Sequence, residues 1–107
     1  MYGDLDSMVE FWRKCHKKRI TASGVVVDKP CVLFHVTLSG ASGGASSANL
    51  YDGETTGGEL ILDLAAVTSG KDIRNFVTPL FFKQGIYCNV GSNVTSVFFH
   101  YLPVRKV

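Results

Sequence analysis

Apolar residues along this chain recur with a period of two and are broken at short intervals by glycine, asparagine and aspartate, and that pattern limits the fold most. Alternation is the signature of β-strands with one buried face, because successive side chains on a strand point to opposite sides. In Cys31-Val32-Leu33-Phe34-His35-Val36-Thr37-Leu38, the spacing predicts one face of Val32, Phe34, Val36 and Leu38. The other face carries Cys31, Leu33, His35 and Thr37, apolar enough to be partly covered. Pro30, just before, suits a position where a missing N–H is harmless. Leu60, Leu62 and Leu64 are expected to point inward with Asp63 outward. Val97, Phe99 and Tyr101 take one side of the last run, and Phe98, His100 and Leu102 the other.

The punctuation sets the connections. Residues 51–58 (Tyr-Asp-Gly-Glu-Thr-Thr-Gly-Gly) read as a hairpin loop, as does Gly91-Ser92-Asn93. Residues 39–47, rich in Gly, Ala and Ser, read as a flexible surface loop. About seven strands follow, at residues 19–28, 31–38, 47–51, 59–65, 74–82, 86–90 and 95–102. Short strands separated by such turns predict an all-β fold, an antiparallel β-sandwich or jelly-roll-like barrel. With 107 residues the chain has room for one core. The predicted organisation is an N-terminal arm at 1–19 and a single β-sandwich domain at 20–107. Within the arm, Leu5, Met8, Val9, Phe11 and Trp12 have rough helical spacing, and an extended arm with some helix before it is expected.

Charge is distributed unevenly. Residues 1–10 carry only Asp4, Asp6 and Glu10, whereas 13–19 carry Arg13, Lys14, Lys17, Lys18 and Arg19. From residue 20 onward acids and bases cancel, six against six. The arm is therefore the charged element, and Phe11 and Trp12 add aromatic contact area beside the basic run. Phe11, Trp12, Arg13, Lys14, Lys17, Lys18 and Arg19 are the candidate partner-binding residues. They would meet an acidic protein surface. The same residues can neutralise phosphates and stack on bases, but the run is short and the body has no basic surplus to extend it, so nucleic acid is the weaker reading.

No local constellation points to catalysis. Cys15 and His16 are neighbours, yet they fall in the basic segment, where Cys15 is expected to be exposed with a lowered thiol pKa. Cys31 and His35 lie four apart on a strand, roughly 13 Å by the rise per residue, too far for contact. Ser69-Gly70-Lys71 resembles the end of a phosphate-binding loop, but Ala65 and Asp72 stand where that motif needs Gly and Ser or Thr. His35 and His100 can converge across strands, although a lone strand histidine is ordinarily hydrogen-bonded rather than a metal ligand. The expectation is a non-enzymatic protein with no cofactor and no metal. Three cysteines without C-x-x-C spacing predict free thiols, Cys31 and Cys88 buried. Asn93-Val94-Thr95 is formally a glycosylation acceptor, but the acidic, non-apolar start of the chain lacks the pattern of a secretion signal and no segment is apolar enough to span a membrane.

Aromatic residues come in adjacent pairs. In Phe81-Phe82 and Phe98-Phe99 one ring of each must face away from the core, which implies a second covered surface. The succession of Leu50-Tyr51-Asp52-Gly53, a Gly-rich hairpin, Gly85-Ile86-Tyr87-Cys88 and Val97-Phe98-Phe99-His100-Tyr101 resembles small all-β virion structural proteins of tailed bacteriophages. The likeness spans roughly residues 18–103 and transfers no residue-level role. It implies a capsid decoration or cement protein, made in the host cytoplasm and located in the virion. The partner would be the major capsid protein or another virion protein, and a homo-oligomer, a trimer first, would form. Alternatives are a tail or head–tail accessory protein, or a carbohydrate-binding β-sandwich module using Tyr51, Tyr87 or Trp12 against sugar rings.

Overall fold

The computed structural model describes residues 15–104. They form eight strands and no helix: β1 (His16–Ile20), β2 (Gly24–Val27), β3 (Cys31–Gly40), β4 (Ser46–Asp52), β5 (Glu59–Ala66), β6 (Lys71–Phe82), β7 (Ile86–Val90) and β8 (Val94–Pro103). Two four-stranded antiparallel sheets result, sheet 1 in the order β1-β8-β3-β6 and sheet 2 in the order β2-β7-β4-β5. The chain behaves as one long hairpin wrapped on itself, pairing β1 with β8, β2 with β7, β3 with β6 and β4 with β5. That wrapping is the jelly-roll arrangement of an antiparallel sandwich.

The inward side chains form one core. Cys31, Leu33, Val36, Leu38, Ala48, Leu50, Phe82, Ile86, Cys88, Val97 and Phe99 are completely shielded from solvent. Val36, Leu64, Val97 and Phe99 are buried as the alternation predicts. Val32 and Phe34 are only half-buried, and Leu60 is exposed. Two bulges account for this. On β3, Leu33 and His35 oppose the adjacent residues Tyr101 and His100 of β8, so Phe34 is an extra residue and the alternation changes phase across it. Cys31 and Leu33 therefore point inward before the bulge, Val36 and Leu38 after it. On β5, Leu50 faces Leu62 while Tyr51 faces Leu60, leaving Ile61 as the extra residue and turning Leu60 outward. Leu62 keeps the inward face but lies half-buried.

Other boundaries also differ from the sequence reading. The run at 19–28 divides into β1 and β2, which belong to different sheets. Residues 16–19 of the expected arm lie in β1, paired from His16↔Tyr101 to Ile20↔Val97. His-Lys-Lys-Arg shows no apolar alternation because it forms the outer edge of a sheet, where water reaches both faces; lysines on such an edge also discourage pairing with other chains. The loop expected at 39–47 contracts to 41–45 and is tied down: Ala41 N–H donates to Asn93 O (2.8 Å) and Ser69 N–H to Ala41 O (2.9 Å). Cys15 is buried, which raises its thiol pKa, opposite to the exposed and activated state expected. Cys31 and Cys88 are buried and pushed up to about 12, in both cases chiefly by desolvation.

Polar links close the two sides of the sandwich. Arg74 grips the Asp72 carboxylate with Nε on Oδ1 (2.7 Å) and Nη2 on Oδ2 (3.1 Å), and the same Oδ2 accepts the Ala65 N–H of sheet 2 (3.0 Å). At the opposite seam the Lys18 ammonium donates to Val26 O (3.3 Å). Among the described residues no helix is long and apolar enough to cross a membrane.

Candidate docking face on sheet 1

Directly opposed residues in a sheet share a face, so the strand registers define what sheet 1 turns outward. The first row runs Arg19, Phe98, Thr37, Ile73; the second runs Lys17, His100, His35, Asn75. The third runs Leu102, Val32, Phe81. In each adjacent phenylalanine pair, one ring is in the core (Phe82, Phe99) and the other is on this face (Phe81, Phe98). Phe81 is 51% and Ile73 56% exposed, large values for apolar side chains on a strand. The face is thus two apolar rows enclosing a polar one, with cations along its β1 rim.

The polar row is internally organised. His35 Nδ1 lies 2.6 Å from Asn75 Oδ1, and its Nε2 meets the Thr37 hydroxyl. Asn75 Oδ1 can only accept, so Nδ1 carries a proton, while the Thr37 hydroxyl pairs with Nε2. The His35 ring meets Phe98 edge-on at 6.0 Å between centroids. Arg19 stands 6.0 Å from the centre of the same Phe98 ring, at the outer limit of a cation–π contact. Burial lowers the pKa of His100, and the neighbouring Lys17 and His35 lower it further.

Beyond His35 the edge strand β6 departs from the ladder. Residues 76–79 lie between the pairs His35↔Asn75 and Leu33↔Leu80, opposite Phe34 alone. Pro79 falls inside this bulge, where its missing N–H removes no ladder bond. Val77 at the crest is fully exposed. A depression of about 290 Å³ opens beside it, lined by Phe34, His35, Asn75, Phe76, Val77 and His100. A bulge with proline on an edge strand also hinders pairing with another strand, leaving the outer face, rather than the edge, as the surface available for contact.

Of the candidate arm residues, Phe11, Trp12, Arg13 and Lys14 lie outside the described residues. Lys17 and Arg19 share the outer face, whereas Lys18 turns to the other side and closes the sandwich at Val26. Lys18 thus serves the fold. The doubled phenylalanines showed in the sequence that one ring of each pair leaves the core, without deciding between Phe81 and Phe82; the outward positions of Ile73 and Val77 were not legible, since they depend on strand register and bulges. His35 and His100 do converge, as direct cross-strand partners. Among the described residues no group of three or more His, Cys, Asp and Glu stands close enough to hold a metal ion. Tyr51 and Tyr87 oppose each other on sheet 2, away from this face. No protein-family model matches the chain, and no curated protein or solved structure matches it either.

Proposed function

We propose that this protein is a non-enzymatic structural component of a bacteriophage particle, a capsid decoration or cement protein that attaches through the outer face of sheet 1. The observation that carries the reading is the set of apolar side chains that sheet 1 turns outward, Phe81 and Ile73 exposed and Val32, Leu102 and Phe98 half-buried, bordered by Lys17 and Arg19 on β1. Isolated exposed apolar side chains are ordinary, but two apolar rows on one sheet face, set either side of a polar row and beside a charged rim, support a protein–protein interface. Its complement is a protein surface with apolar patches and an acidic margin, belonging to the major capsid protein, to another virion protein or to a second copy. The jelly roll agrees with this, being a fold that capsid proteins use, but a fold alone decides no function.

Cosedimentation of the purified chain with phage capsids tests the reading. Phe81→Ser with Phe98→Ser is expected to weaken attachment about tenfold or more at every salt concentration, because burial of rings is nearly independent of ionic strength. Lys17→Gln with Arg19→Gln is expected to weaken it about tenfold at low salt and little at high salt, where screening already suppresses the charge contribution. Attachment unchanged in both double variants, or no attachment of the wild-type chain, refutes the proposal.

A further inference from the structure

We infer that the outer face of sheet 2 is a binding site for a neutral oligosaccharide, independent of the docking face on sheet 1. The registers across sheet 2 place Val25, Tyr87, Tyr51 and Leu60 in one outward row spanning all four strands. The next outward row is polar, with Asn89 opposite Asn49 and Asn49 opposite Asp63. Asn49 Nδ2 donates to Asp63 Oδ1 at 2.5 Å, and Ser23 extends the row on the β2 side, its hydroxyl 3.4 Å from Asn89 Oδ1. The two rows are two residues apart on β4 and β7 (Tyr51 and Asn49, Tyr87 and Asn89), roughly 7 Å by the rise per residue, the scale of one sugar ring with its exocyclic groups, and three apart on β5 across the Ile61 bulge.

This pairing of rows matches the chemistry of a pyranose. One side of the sugar ring presents C–H groups, which lie against tyrosine rings, and its rim presents hydroxyls that both donate and accept. Asparagine amides do the same, and the second Asp63 oxygen adds an acceptor. Charge narrows the ligand class. Strands β2, β4, β5 and β7 contain no lysine or arginine, whereas sheet 1 carries Lys17, Lys18, Arg19, Lys71 and Arg74. Lys18 donates to the Val26 carbonyl of sheet 2, and the Val26 side chain is buried. The carboxylates of sheet 2 are Asp52, Glu59 and Asp63; Asp52 is buried and accepts the N–H groups of Lys83 and Gln84 (3.0 and 2.8 Å). A phosphate, sulfate or uronate would meet Asp63 with no lysine or arginine on these four strands to offset it. A neutral sugar meets no such opposition.

The test is an amide-resolved NMR titration of the full chain with cellotetraose, maltotetraose, chitotetraose and, as the anionic comparison, a hyaluronan tetrasaccharide. The expected result is saturable shifts with at least one neutral sugar, confined to Tyr51, Tyr87, Asn49, Asn89, Asp63 and their strand neighbours. Tyr51→Ala and Tyr87→Ala should each lower affinity about tenfold, while Tyr87→Phe, which keeps the ring, should bind within about threefold of wild type. Shifts with hyaluronan alone, shifts centred elsewhere, or none with any sugar overturn the inference. Concentration-dependent shifts of the same residues without sugar overturn it too, since they would assign the face to self-association. The wild-type map decides the matter even if an alanine variant does not fold, and it is read separately from capsid attachment.

Discussion

At the residue scale, the turn between β6 and β7 shows how much one position can govern. Gly85 has a φ of 140°, a conformation L side chains rarely adopt, and a Cβ there would collide with the Val27 carbonyl oxygen. The same turn is bound to the end of β4: Asp52 accepts the Lys83 and Gln84 N–H groups, and Gly53 N–H donates to Gly85 O (3.2 Å). Gly85→Ala is therefore expected to destabilise the protein by about 2–3 kcal/mol, combining backbone strain with a displaced turn. Urea unfolding checks it; a midpoint within error of wild type would mean that the turn relaxes freely. The sequence shows a glycine at 85 but not the strand passing against it, so only the fold reveals why this glycine matters. The doubled phenylalanines are the reverse case, because adjacency on a strand already obliges one ring to leave the core.

At the element scale, strand existence was legible and strand phase was not. The Leu-Ile-Leu-Asp-Leu run supports a strand in either phase, and nothing local marks Ile61 as the extra residue that turns Leu60 outward. Phe34 on β3 is equally silent, since a bulge is fixed by partner strands distant in sequence. β1 was missed as a strand because edge position removes the apolar alternation on which recognition depends. The seam between β5 and β6 gives a pH prediction. The hydrogen bond from Arg74 holds the Asp72 carboxyl below its usual range, and the Ala65 N–H adds to this against the opposing effect of burial. A carboxylate whose folded pKa is depressed stabilises the fold above its unfolded pKa of about 3.9, and that contribution disappears as the pH falls through the lower folded value. The unfolding midpoint should thus fall more between pH 5 and pH 2 in the wild type than in Asp72→Asn. Parallel pH profiles for the two proteins would contradict the assignment.

At the scale of the whole molecule, the two sheets divide the chemistry. The cationic strand residues belong to sheet 1, whose outward apolar rows run from Arg19 to Ile73 and from Leu102 to Phe81. Sheet 2 turns tyrosines, amides and a carboxylate outward. A sandwich so divided offers two chemically distinct outer faces over one shared core. The charge imbalance near the N-terminus was legible in the sequence; its extension into an apolar and aromatic face was not, because that face joins residues from four strands brought together only by jelly-roll wrapping. The central claim, that sheet 1 is the attached face, is tested most directly by hydroxyl-radical footprinting of the chain free and bound to the particle. Attachment through sheet 1 predicts strong protection of Phe81, Phe98 and Ile73 in the bound state, with Tyr51 and Tyr87 reacting as in the free protein. Protection of the two tyrosines, with Phe81 and Phe98 unchanged, would contradict it.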